Sequence, residues 1–169
     1  LGVGEQLARR YGVDCQIKWP NDLLLNGRKL CGILTESSLL PDGSAAWLVV
    51  GIGVNVGQAS FPPDIADMAT SLALQELDVS PDALADAILA QLTALRTVLT
   101  DPAEWLTEYR RRCVNLGRPV RVLRGNTVRQ ATALAIDEQF GLTVQYENGE
   151  TETVRSGEVS VRGLYGYIE

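Results

Sequence analysis

Residues 18–22 read Lys-Trp-Pro-Asn-Asp and set an ammonium group beside a rigid turn. Before them, apolar side chains alternate at Val13, Cys15, Ile17 and Trp19, the period of a half-buried strand. Pro20 lacks the N–H that a central ladder needs and biases Trp19 towards extended backbone, so the strand is expected to end there. Asn21 and Asp22 are turn formers, because their side chains hydrogen-bond nearby backbone. Lys18 is thus expected on a fixed element at a strand end, where a cation can meet phosphate or carboxylate oxygens. The alternative for Lys18 is a solvated surface lysine. Trp19, Asn21 and Asp22 form the supporting turn, and Asn21 and Asp22 either hold the lysine in place or touch a ligand or Mg2+ themselves.

Other residues have two readings each. Gly32, within Cys31-Gly32-Ile33-Leu34, marks either close approach of a ligand to a strand or a bulge. Gly51-Ile52-Gly53 resembles the start of a dinucleotide fingerprint, but the next glycine, Gly57, is one place too far and Pro62-Pro63 stands where a helix should run. Asn55 either hydrogen-bonds a base such as adenine or caps its turn. Glu158 and Arg162 lie four apart, on one face of any strand that holds both; a surface ion pair is the plain reading. Arg28 and Lys29 fall at a hairpin tip, where solvated charge is the default. Arg110-Arg111-Arg112 ends a helix, as the macrodipole favours.

These residues need a frame. Val3, Leu7 and Tyr11 recur four apart and Gly12 follows as a helix stop. Strands are expected over 13–19, 22–25 and 30–38, with Asn26-Gly27 as a two-residue hairpin turn. Residues 45–50 read as a buried strand running into Gly51. A loop over 57–71 leads to a short helical turn near 69–74. Ser80-Pro81-Asp82 starts a helix with an apolar stripe at Leu84, Ile88, Leu92, Leu95 and Leu99. Asp101-Pro102 starts another, with Trp105 and Tyr109 four apart. After Leu116-Gly117-Arg118-Pro119 come five short strands, over 120–123, 129–136, 142–146, 152–154 and 159–162, which read as a small barrel. The fold class is α+β: a mixed, largely antiparallel sheet with helices over 1–115, and a small β-barrel over 116–169.

The totals narrow the chemistry. A chain of 169 residues holds one medium domain, or a core with a small satellite. Its net charge of −6 argues against a broad nucleic-acid surface. The sequence has no histidine, which excludes Ser-His-Asp and Cys-His catalysis, His-ligated zinc and an imidazole base. Cys15, Cys31 and Cys113 form no CxxC, so buried thiols in a reducing cytoplasm are expected rather than disulfides or a metal site. No apolar run approaches the roughly 18 residues of a membrane span.

Lys18-Trp19-Pro20-Asn21-Asp22, followed by Gly27-Arg28-Lys29-Leu30-Cys31-Gly32-Ile33-Leu34-Thr35-Glu36, strongly resembles biotin protein ligases. The resemblance continues through Gly51-x-Gly53-x-Asn55 and into the tail at Gly117-Arg118-Pro119-Val120 and Gly157-Glu158-Val159-Ser160-Val161-Arg162. It implies a class II synthetase-like catalytic core followed by an SH3-like barrel. It implies ATP-dependent activation of biotin to biotinyl-5′-AMP, with Mg2+ accompanying ATP, and transfer to a lysine of a biotin carboxyl carrier domain. Lys18 is then catalytic, touching both biotin's carboxyl end and the phosphate. Gly32, Ile33 and Leu34 line biotin, and Asn55, Glu158 and Arg162 join Lys18 on ATP. For Arg28 and Lys29 the resemblance implies a role in dimerisation or loop contact, the alternative to solvated charge. The family's Gly-Arg-Gly-Arg-Arg-Gly type loop is absent from these residues, so the chain is expected to be the C-terminal part of a longer ligase. A lipoate-transferring relative, a biotin-sensing repressor with an upstream helix-turn-helix, and a non-catalytic remnant are the rivals. Edge strands in the meander are compatible with a side-by-side homodimer.

Overall fold

Helix α1 (Gly2–Tyr11) buries Val3 and Leu7, four apart on one face. Gly12 ends it at φ 66°, donating its N–H to the Ala8 carbonyl at 3.0 Å; glycine enters this left-handed region without the Cβ clash. This computed structural model describes residues 1–98, 102–155 and 160–163, with the side chains of 95–98, 102 and 160–163 left aside. Leu95 and Leu99 of the expected stripe, and Glu158, therefore lie outside the described side chains.

Strands β1 (Gln16–Lys18), β2 (Asp22–Leu25), β3 (Arg28–Leu39) and β4 (Ala45–Val54) form an antiparallel sheet in sequence order. Asn26 and Gly27 both have positive φ, 51° and 76°, and close the expected hairpin with Leu25 opposite Arg28. Ile17, Leu23 and Cys31 stand opposite one another on the buried face. Helix α1 packs there, and a Cβ on Gly4 would lie only 3.9 Å from that of Cys15.

The expectation of a buried strand over 45–50 is corrected. β4 forms, but Trp47 is 51% and Leu48 61% exposed. The reason is length: the β2 ladder on β3 reaches only Gly32, whereas the β3–β4 ladder runs out to Leu39 and Ala45. The outer half is a two-stranded ribbon beyond the edge of its own sheet.

A single 3-10 turn at Ala73–Gln75 stands for the short helical turn expected slightly earlier. Helix α2 (Pro81–Val98) starts where Ser80 Oγ accepts the Ala83 N–H at 3.4 Å. It buries Leu84 and Ile88 and is tied to α1 by Gln91, which bonds Gln6 and Glu5. Helix α3 (Pro102–Arg112) ends in three arginines; Arg112 reaches Asp14 at 2.7 Å and the Cys15 carbonyl at 3.0 Å.

Strands β5 (Pro119–Arg124), β6 (Thr127–Ile136), β7 (Leu142–Tyr146), β8 (Thr151–Val154) and β9 (Ser160–Gly163) make a second antiparallel sheet, ordered β8-β7-β6-β5-β9. Where a barrel was expected, the described residues pair as an open sheet with β8 and β9 at its edges. The Val114 N–H donates to the Ile17 carbonyl at 2.9 Å, joining the chain after α3 to β1. The core runs on from the first sheet into the second. The architecture is α+β with antiparallel sheets, and among the described residues no helix is long and apolar enough to cross a membrane.

Candidate active site

The register of the first sheet puts four residues in one row across its strands. Lys18 faces Asp22, Asp22 faces Gly32, and Gly32 faces Gly53. Directly opposed residues share a face, so two charged groups lie at one end of the row and two glycines at the other. One step further along the same face, Leu34 stands opposite Gly51. Three glycines and one leucine thus make a smooth floor. A cleft of about 480 Å3 opens over it, lined by Asn21, Asp22, Lys29, Gly32, Leu34 and Gly51 among others.

Asp22 is buried and holds two ammonium groups. Lys29 Nζ lies 2.6 Å from its Oδ1, and Lys18 Nζ lies 3.6 Å from its Oδ2. Of the two lysines, Lys29 lines the cleft, with its side chain 32% exposed. Lys18 is 8% exposed and lies beside Asp22 in the row. A Cβ on Gly32 would come within 3.2 Å of Lys29 Cε and Nζ, so the missing side chain is the space the lysine uses.

Reading Lys29 as solvated charge at a hairpin tip is corrected by this geometry. The cause is a β-bulge: the partner of Leu23 is Cys31, but the partner of Leu24 is Lys29, so Leu30 is the extra residue on β3. A bulge re-aims the side chains beside it. Leu30 and Cys31 are both buried, and Lys29 is brought over Gly32. The Lys29 backbone is anchored by its N–H to the Met68 carbonyl at 2.7 Å and by its carbonyl to the Thr70 N–H at 2.9 Å.

Asn55 belongs to that anchor. Its side-chain amide donates to the Thr70 carbonyl at 3.0 Å and the Lys29 carbonyl at 3.4 Å. This is the turn-tying alternative, with the amide N–H groups spent on backbone rather than offered to a base. Asn21 is likewise committed: its side-chain amide donates to the Ile33 carbonyl, and its own carbonyl accepts the Ile33 N–H at 3.0 Å. The Ile33 side chain alternates to the other face and packs at the edge of the core. Leu34 stays on the floor, 63% exposed. Trp19 is fully buried and its peptide to Pro20 is cis. Arg162 is in β9 opposite Arg121, its side chain outside the described set. Burial pushes the Cys15 thiol up to about 12 and the Cys31 thiol up to about 11, so both stay protonated at neutral pH and supply no nucleophile.

A second cleft, of about 660 Å3, lies between Trp19, Pro20, Ile33, Ile52, Tyr109 and Phe140. Its walls are mostly apolar and aromatic, with Thr35, Gln139 and Arg155 among the polar residues.

Comparison with known proteins fits this layout. The model of the biotin/lipoate A/B protein ligase family matches residues 1–55, and that of the biotin protein ligase C terminal domain matches residues 116–162. The chain belongs to the biotin protein ligase family. A biotin–[acetyl-CoA-carboxylase] ligase of Mycobacterium tuberculosis is 36% identical over 85% of this chain and 52% of its own length. The bifunctional ligase/repressor BirA of Escherichia coli is 29% identical over 95% of this chain and 50% of its own. The chain spans about half the length of these curated relatives. The apo structure of the Aquifex aeolicus biotin protein ligase matches with a TM-score of 0.82 at 26% identity, covering 96% of this chain and 72% of that one. The same ligase in complex with biotin and ATP matches with a TM-score of 0.78. The family match over 1–55 contains the whole Lys18–Asp22–Gly32–Gly53 row.

Proposed function

We propose that this chain carries a biotin-activating site that forms biotinyl-5′-AMP from biotin and ATP and passes biotin to a lysine of a carboxyl carrier domain. The observation that carries the reading is the placement of Lys29, pinned by Asp22, beside the floor of Gly32, Gly51, Gly53 and Leu34. A floor made mostly of glycine accepts a flat fused ring, and an ammonium at its end accepts a carboxylate. Biotin's carboxylate oxygen attacks the α-phosphorus and pyrophosphate leaves. The Lys29 ammonium offsets the charge that grows on the phosphoryl oxygens, an interaction stronger in the transition state than before it. In the second step the carrier's amine attacks the acyl carbonyl and AMP departs, with the same ammonium beside the tetrahedral oxygen.

Lys18, expected from sequence to be the catalytic cation, takes the role of buried counter-charge to Asp22 and so fixes Lys29 indirectly. Asp22 has an ammonium on each oxygen and does not fit a magnesium ligand, so Mg2+ enters with the phosphates of ATP. Asn55 orients the Lys29 strand. Glu158 and Arg162 remain proposed for the ATP phosphates from the family resemblance. The relatives named for acetyl-CoA carboxylase support a biotin-dependent carboxylase carrier as partner. The C-terminal domain match favours biotin over lipoate. It also supports division into residues 1–115 and a C-terminal unit over 116–169. Three buried free thiols are compatible with a reducing cytoplasm.

Calorimetric titration with a non-hydrolysable biotinyl-adenylate analogue tests the reading. Lys29→Ala is expected to weaken binding about 10- to 100-fold, as loss of a charge-assisted contact does. Lys18→Met is expected to weaken it less. A folded parent chain that binds no analogue, or Lys29→Ala binding as the parent does, would overturn the proposal.

A further inference from the structure

Two residues of the motif turn, Trp19 and Pro20, are held by groups from outside their own sheet. The Trp19 indole N–H donates to the Phe140 carbonyl at 2.8 Å, and the Tyr109 hydroxyl donates to the Pro20 carbonyl at 2.9 Å. The Trp19 backbone N–H donates to Asn115 Oδ1 at 2.8 Å. Tyr109 and Phe140 meet edge to face, with ring centres 5.4 Å apart. Next along the chain, Arg110 donates from Nε and Nη2 to the Ile136 carbonyl at 2.9 and 2.5 Å. The turn between β6 and β7 is therefore gripped at both ends, by Arg110 at Ile136 and by Trp19 at Phe140.

That turn is itself over-determined. Phe140 has φ 61°, a region that costs a residue with a Cβ and persists only where its surroundings enforce it. Asp137 enforces it: Oδ1 accepts the N–H groups of Gln139 at 2.8 Å and Gly141 at 2.7 Å, and Oδ2 pairs with Arg155 at 3.0 Å. A Cβ on Gly141 would lie 2.7 Å from Thr153 Cγ2, so any other residue there displaces that side chain. Burial raises the Tyr109 phenol well above its ordinary value, which keeps it a donor to Pro20. A turn needed only to join two strands would require none of these contacts to the motif.

We propose that the Ile136–Gly141 turn of the second sheet, together with Tyr109, is a positioning device for the active-site turn, clamping Trp19-Pro20 so that Asn21 and Asp22 stand fixed against β3. Through this turn the second sheet contributes to catalysis by a route separate from the one proposed for Arg162. Tyr109, Asp137 and Phe140 are positioning residues that act through Asp22 on Lys29. The inference rests on the proposed biotin-activating site for its consequence, and on the hydrogen bonds alone for the clamp.

The experiment reads both on the full chain. Amide hydrogen exchange without ligand is followed at Asn21–Leu23, with Val144 in β7 as the internal control, for the parent, Tyr109→Phe, Asp137→Ala and Asp137→Asn. The same four proteins are titrated with the biotinyl-adenylate analogue well below their melting temperatures. Tyr109→Phe and Asp137→Ala are expected to speed exchange at Asn21–Leu23, leave Val144 unchanged and weaken binding about five- to tenfold. Asp137→Asn keeps an acceptor for both amides and is expected to restore both readouts. Unchanged exchange at Asn21–Leu23 overturns the clamp. Faster exchange with unchanged affinity overturns its role in positioning. A parent that binds no analogue while exchange still responds to the variants leaves the clamp standing and overturns the biotin reading instead.

Discussion

Two lysines eleven positions apart share one carboxylate, and they do different work. Lys29 has its side chain 32% exposed, and Lys18 is buried beside Asp22. Removing a buried charged partner leaves part of a carboxylate undercompensated, so Lys18→Met is expected to lower the unfolding free energy by about 1–3 kcal/mol. Urea denaturation of the variant against the parent measures this, and a midpoint unchanged from the parent's would contradict the buried role. The importance of Lys-Trp-Pro-Asn-Asp was legible in the residues, because it sets a cation beside a rigid turn and carries the family resemblance. The reach of Lys29 was not. Strict alternation sends it away from Gly32, and only the bulge brings it back. A trace was nevertheless present: Leu30 and Cys31 are consecutive apolar residues, and a regular strand with one buried face would not bury both.

The sheet turns these side chains into a site through register. Each glycine of the floor has ordinary strand backbone, and a Cβ at Gly51 would meet the Leu34 carbonyl at 3.7 Å, ordinary contact. The protein itself therefore tolerates alanine there, whereas a ligand resting on the floor does not. Gly51→Ala is expected to change the melting temperature by less than about 3 °C and to weaken analogue binding at least about tenfold. A variant that binds normally would show that the floor is not a ligand wall. Most element positions followed from turn chemistry, as with Asn26-Gly27 before β3 and Ser80 before α2. Burial was less legible. Ala-Ala-Trp-Leu-Val-Val reads as interior because composition cannot reveal that neighbouring strands stop short.

Across the whole molecule, that shortfall leaves Leu39, Trp47, Leu48, Val49 and Val50 exposed on one ribbon whose outer strand has an unpaired edge among the described residues. Contiguous apolar surface on an edge strand is a template for association, and we propose that it supports the side-by-side pairing of two copies. Sedimentation velocity is expected to show concentration-dependent association of the chain, reduced in Trp47→Lys. A monomer at all concentrations would remove that pairing.

The floor has one more property, a direction. From Leu30 to Leu95 the sequence contains Asp and Glu but neither Lys nor Arg, and the cation that lines the cleft, Lys29, stands at its β2 end, held by Asp22. An elongated ligand with one negative terminus meets a cation at one end of the floor and uncharged glycine and leucine along the rest. It can lie only one way round, and a neutral ester of the same shape would fit the floor in either sense. The cleft therefore sorts molecules by polarity as well as by outline.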